Sequence, residues 1–265
     1  MNDIKLYRAW EIVYPIGIYY VITNAAAFIV TLFVPYSTES YGFIKVLTTL
    51  ITFPFIYGIY RQDKRRRGET EIGAAEIFQD MKTEIPVLIG IVIMGVSAAV
   101  VLNNIIAWTP LMEHSANYGK VSEAFFAGEL LFEILGPCIL VPILEEYVFR
   151  GLVYGRLREW LGVPSSVLIS AVIFGAMHMN LVQFVYAGLL GIFMALCAER
   201  TKHLYGAILA HMAANTISVI RTETKWLDWM GTNTNVQICE TIGLALIFAG
   251  FFVIFFGKMI HSKEK

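Results

Sequence analysis

Charge is what this chain has least of. Asp, Glu, Lys and Arg make up 15% of its 265 residues, against about 25% in a soluble globular domain. With 57% hydrophobic residues and a mean hydropathy of +0.64, the composition excludes a water-soluble domain and predicts a polytopic membrane protein. A net charge of −1 and the lack of a basic stripe interleaved with aromatics leave no footing for nucleic acid. Cysteine is scarce as well. Cys138, Cys197 and Cys239 are an odd, dispersed set in apolar surroundings, which excludes a disulfide framework and a cysteine metal site. No small-residue cleavage site follows the first apolar segment, which begins near Trp10, so it reads as a retained span rather than a signal peptide. No internal repeat is evident, which weakens an inverted-repeat transporter. Also missing are the HExxH spacing of common metalloproteases and the Gly-x-Ser-x-Gly elbow of serine hydrolases; Ser165, Ser166 and Ser170 have no evident paired base.

Long apolar runs are what the chain has instead. A spanning helix needs about 20 mainly apolar residues. The runs place spans near 10–34, 42–60, 86–108, 123–146, 164–180, 182–198, 204–220 and 237–259. The expected fold is therefore all-α, a polytopic helical bundle of about eight transmembrane helices forming a single membrane domain over 1–265. Gly136-Pro137 is expected to kink or break the fourth span; in an alternative, one helix runs from about Pro137 through Arg158. With the N-terminus inside, all but Lys45, Lys120, Arg221 and Lys225 of the 20 basic residues fall on the inner side. The positive-inside rule then places both termini in the cytoplasm of a multi-pass plasma-membrane protein. The run Arg61–Arg67 reads first as a topogenic anchor, with attraction to anionic membrane lipids as a lesser role. Gly73–Pro86 reads as a short amphipathic interfacial helix.

Against this background three polar clusters stand out: Glu145–Gly151 (EEYVFRG), Phe174–His178 (FGAMH) and His211–Asn215 (HMAAN). A charged side chain at the centre of a spanning helix costs roughly 2.5–3.5 kcal/mol on insertion scales, so such residues usually mark a function. Glu146 and Arg150 are four residues apart and can pair on one helix face. Glu145 points about 100° away and lacks that partner, which suits a general acid or base. The bland reading has both glutamates in structural ion pairs with Arg156 or Arg158. His178 alone would more often be a satisfied core histidine. His211 and Asn215 share a face among small residues and could equally be interhelical glue. Counted from the cytoplasmic ends near Arg156, Pro164 and Leu204, Glu145, His178 and His211 lie about 16, 21 and 10 Å deep, which predicts a water-filled pocket opening to the cytoplasm.

Two hydrolytic chemistries fit these residue types. In one, Glu145 and His178 activate a water while His211 and Asn215 stabilise an oxyanion, with Glu146 and Arg150 in support and no cofactor. In the other, Glu145, His178 and His211 hold a zinc ion with an open position. A proton-coupled transporter using a Glu/His relay is a further class.

Taken together, Glu145-Glu146-x-x-x-Arg150-Gly151, Phe174-x-x-x-His178 and His211-x-x-x-Asn215 resemble the signature of the CPBP intramembrane protease family. Phe149 and the lead-in Glu199–His211 add to the likeness. The family includes CAAX prenyl endopeptidases of the Ras-converting type and bacterial proteins linked to bacteriocin processing or self-immunity. The motif-bearing part covers approximately 123–220. The resemblance implies an eight-helix membrane endopeptidase acting on a peptide or membrane-associated protein, with Glu145 and His178 on the water and His211 and Asn215 in the oxyanion role. The family has been described both as metal-dependent and as glutamate-based, and the residues here favour the latter. A non-catalytic immunity or scaffold protein would keep the same fold.

Overall fold

The computed structural model describes residues 2–69, 73–115, 118–119, 123, 128–224 and 233–261. Over these the chain is helical, with no strand. We number the helices α1 (Asn2–Thr31), α2 (Tyr41–Arg66), α3 (Ala74–Thr83), α4 (Ile85–Ala107), α5 (Leu130–Leu157), α6 (Val163–Ala176), α7 (Leu181–Thr201), α8 (Leu204–Thr224) and α9 (Thr234–His261). Among the described residues eight helices, of which α6 is the shortest, and the amphipathic α3 correspond to the elements expected from sequence. By length and apolarity α1, α2, α4, α7 and α9 qualify as membrane spans on their own. The others carry the polar clusters or are too short.

The fourth span combines parts of both readings: it starts before Gly136-Pro137 and runs on to Leu157, the end that the alternative expected. Its expected start at 123 falls largely outside the described residues. From Leu130 the helix continues unbroken to Leu157, so Gly136-Pro137 neither breaks it nor begins it. Two stretches of it, Ile134–Leu140 and Tyr147–Tyr154, are wound as π-helix on either side of an α-helical turn holding Glu145 and Glu146. Proline has no N–H to donate and crowds the turn before it; the wider π winding absorbs that defect without ending the helix. Helix α5 is the hub of the bundle and packs against α1, α2, α6 and α8, while α4 packs on α8 and α9.

Helix α6 is also shorter than the expected span of 164–180. It has 14 residues, about 21 Å, and reverses at His178–Asn180 into α7. Met179 takes the left-handed conformation in this reversal (φ 59°), and Asn180 caps α7 by accepting from the Gln183 amide. The two helices pack very closely. A Cβ added to Gly175 would lie 2.6 Å from the Phe184 carbonyl oxygen, so only glycine fits there.

The end of the bundle holding the N-terminus of α1 and the C-terminus of α2 is basic. Buried Asp63 accepts from Arg156 and Arg66, and Arg66 makes a two-pronged bond to Glu159. The Arg61–Arg67 run is thus more than an anchor: it ties α2 to α5 and to the residues that follow it. Arg156 and Arg158, the alternative partners for the double glutamate, are taken by Asp63 and Glu199. Lys120 and Lys225, expected on the opposite side, lie outside the described residues. Large apolar side chains such as Phe28, Leu246 and Val253 point outward, 65–69% exposed, as a lipid-facing surface requires.

Candidate active site

Glu146 and Arg150 form the buried pair that their spacing suggested. The guanidinium donates to Glu146 Oε1 at 2.9 Å, and both side chains are fully enclosed. A second Arg150 nitrogen donates to the Gly191 carbonyl at 3.0 Å, and the Phe174 ring lies 4.5 Å beneath the guanidinium carbon. Gly191 must lack a side chain for this reach. A Cβ there would stand 3.2 Å from both the guanidinium and Ala171.

The same Glu146 oxygen takes a second partner that the sequence did not announce, His211 Nδ1 at 2.9 Å. A carboxylate can only accept here, so Nδ1 carries the proton and Nε2 is turned away from Glu146. It comes within 3.8 Å of Glu145 Oε2. His211 therefore stands between the two glutamates, oriented by one and facing the other. His178 is set in the same manner. Its Nδ1 lies 3.0 Å from the Phe174 carbonyl, which accepts, leaving Nε2 as the free nitrogen with a lone pair. Asn215 donates one amide hydrogen to the Pro137 carbonyl at 2.8 Å, an acceptor within the first π-wound stretch, where the helix's own bonding is disturbed.

Phe174 organises the site. Its ring meets His178 edge-on at 5.1 Å, His211 at 5.7 Å and Phe149 at 4.9 Å, besides carrying Arg150. In the sequence it is only the aromatic four residues before His178, and nothing there shows that one ring touches all three clusters.

Glu145, His178, His211 and Asn215 all line one cavity of about 560 Å³. Glu145 retains 16% side-chain exposure while Glu146 has none, which separates the two as helix phase suggested. The cavity does not face the way the depth estimate implied. Its far walls are Asn24, Thr31, Tyr36, Tyr41 and Lys45, at the end where α1 finishes and α2 begins. The basic end has a cavity of its own, about 530 Å³, lined by Lys64, Arg67, Glu199 and Lys202. Counting residues from each helix end gave depth but not direction. Phe149, Phe174 and the Arg150–Glu146 pair fill the bundle between the site and the basic end.

Among the described residues no group of three His, Cys, Asp or Glu is close enough to hold a metal ion. Glu145, His178 and His211 are thus not grouped closely enough to form a ligand set, although both histidines place Nδ1 on protein acceptors and so leave Nε2 as the available nitrogen.

Residues 127–217 match the family described as Type II CAAX prenyl endopeptidase Rce1-like. The sequence is also 38% identical over 87 residues to a candidate membrane peptidase, YdiL, of Bacillus subtilis strain 168; the aligned part is 33% of this protein and 36% of that one. The match thus spans little more than a third of the curated relative. No solved structure matches significantly.

Proposed function

We propose, from the match of residues 127–217 to the Rce1-like CAAX prenyl endopeptidase family, that this protein is an intramembrane endopeptidase. The observation that carries the reading is the convergence of Glu145, His178, His211 and Asn215 on one cavity. The substrate is a peptide or a membrane-associated protein segment whose scissile carbonyl enters that cavity. Glu145, with His178 in the wall of the same cavity, takes a proton from water, and the hydroxide formed attacks the carbonyl carbon. The oxyanion is received by the second amide hydrogen of Asn215 and by His211 Nε2 in its doubly protonated form. On collapse, Glu145 returns the proton to the departing amine. Glu146 and Arg150 touch none of the reacting atoms: they hold His211 at the correct angle and keep the buried charges balanced.

This route needs no cofactor. A zinc ion would take the Nε2 atoms of His178 and His211, each Nδ1–H staying on its present acceptor, and would need Glu145 drawn in as the third ligand, a grouping not formed among the described residues. Both termini are assigned to the cytoplasmic side of the plasma membrane on the strength of the basic end.

The test is peptide profiling of membranes from cells carrying the unaltered protein or Glu145→Gln. Loss of cleavage products with unchanged membrane abundance is expected, at least about 10²-fold in rate. Full activity in both Glu145→Gln and His178→Ala would refute the reading.

A further inference from the structure

Among the described residues, the active-site cavity has a single lysine or arginine in its walls, Lys45 on α2, just as Glu145 is its single carboxylate. Lys45 is half-buried. Its ammonium lies 5.3 Å from the Tyr41 ring centroid, and among the described residues no carboxylate pairs with it. The contrast with the basic end is sharp, since Lys64, Arg66, Arg67, Arg156, Arg158, Arg200 and Lys202 each meet an Asp or Glu there. An ammonium held partly out of water is costly without an anion, and an aromatic face supplies only part of what is lost.

The place of Lys45 is equally telling. Its Cβ lies 3.6 Å from where a side chain on Gly136 would begin, next to Pro137, whose carbonyl takes Asn215. Lys45 therefore flanks the Asn215 side of the cavity, with Tyr36 and Tyr41 in the same wall, while Phe149, Ala187, Leu190 and Met194 give the cavity apolar surface. A ligand that fits such walls is apolar along its length and carries a negative group at one place.

We propose that Lys45 anchors a carboxylate of the bound peptide and so selects substrates with a free carboxylate close to the scissile bond. The inference rests on the peptidase reading and adds a specificity determinant to it. The C-terminus of a peptide and an Asp or Glu side group supply the same chemistry, and the experiment separates them.

The probe is a pool of N-terminally fluorescein-labelled apolar heptapeptides made in three forms: free acids, C-terminal amides, and amides carrying one internal Glu. Binding is read by fluorescence anisotropy to the full-length protein bearing Glu145→Gln, which stops turnover. The free acids are expected to bind about tenfold tighter than the plain amides, one decade in Kd. Recovery of affinity by the Glu-bearing amides assigns the carboxylate to a side group, and failure to recover assigns it to the C-terminus. Adding Lys45→Met abolishes the preference and Lys45→Arg preserves it, with thermal melting confirming that both variants are folded. Equal binding of all three forms, no binding of any, or a preference for a carboxylate that survives Lys45→Met would overturn the proposal. Cleavage of the peptides without regard to the carboxylate leaves the peptidase reading standing and removes this inference. Lys45-dependent, acid-selective binding with no cleavage by the unaltered protein does the reverse.

Discussion

Removing Arg150 should be among the most damaging single changes in this molecule, and the structure says by how much. Its guanidinium is 2.9 Å from a Glu146 carboxylate, and both side chains are 0% exposed. At that separation two unit charges attract by about 6 kcal/mol with an effective dielectric of about 20, which sets a ceiling. Truncating one partner of such a buried pair leaves the other charge stranded and costs about 3–5 kcal/mol. For Arg150→Ala, melting in detergent should therefore fall by roughly 10 °C. The double variant Glu146→Leu/Arg150→Met tests the reasoning more sharply. It removes both charges together, along with Arg150 Nε and Glu146 Oε2, which find no hydrogen-bond partner among the described residues. Stability should return to within about 1–2 kcal/mol of the unaltered protein, while peptidase activity should stay low because His211 has lost the acceptor that orients it. If Arg150→Ala melts within about 2 °C of the unaltered protein, or the double variant is less stable than either single one, the assignment of a buried, mutually dependent pair is wrong.

Gly175→Ala should force α6 and α7 apart at the Phe184 carbonyl and cost about 1–3 kcal/mol, whereas Gly188→Ala, whose nearest neighbour would be 3.8 Å away, should be neutral; folded yield and melting distinguish them. Phe174→Leu should lower kcat about tenfold, because the ring positions His178 and His211, with KM read alongside to separate positioning from its contact with the cavity. Asn215→Ala should cost about 10²-fold in kcat as an oxyanion donor is lost, with the melting temperature dropping by less than in Arg150→Ala. Dialysis against a chelator should leave cleavage unchanged, checked by metal analysis of the active protein.

Much of this molecule could be read from the sequence because each feature rested on a local period. The long apolar runs gave the helices, and the four-residue spacing of Glu146 and Arg150 gave their pair. Helix phase separated Glu145 from Glu146. What escaped were features that depend on how distant segments meet. His211 reaching Glu146 joins α8 to α5, Phe174 touching three clusters needs α6 laid across both, and Asp63 inside a basic run reads as a solvated charge until Arg156 is seen against it. The π winding around Pro137 was out of reach for another reason: a proline in an apolar helix signals a defect but not how neighbours repair it. The direction of the cavity was misjudged because residue counts along single helices carry no information about which end the surrounding helices leave open.

The shortness of α6 has a consequence for the lipid around the protein. At about 21 Å it falls roughly 9 Å short of a hydrocarbon core about 30 Å thick, while its outward side chains Leu168 and Val172 remain apolar. A bilayer meets such a mismatch by thinning locally, so the leaflet next to the His178 turn should be indented, bringing the water boundary down toward the His178 side chain. The membrane itself would then hydrate the site, and the rate of hydrolysis should rise in thin bilayers and fall in thick ones with no change in the protein.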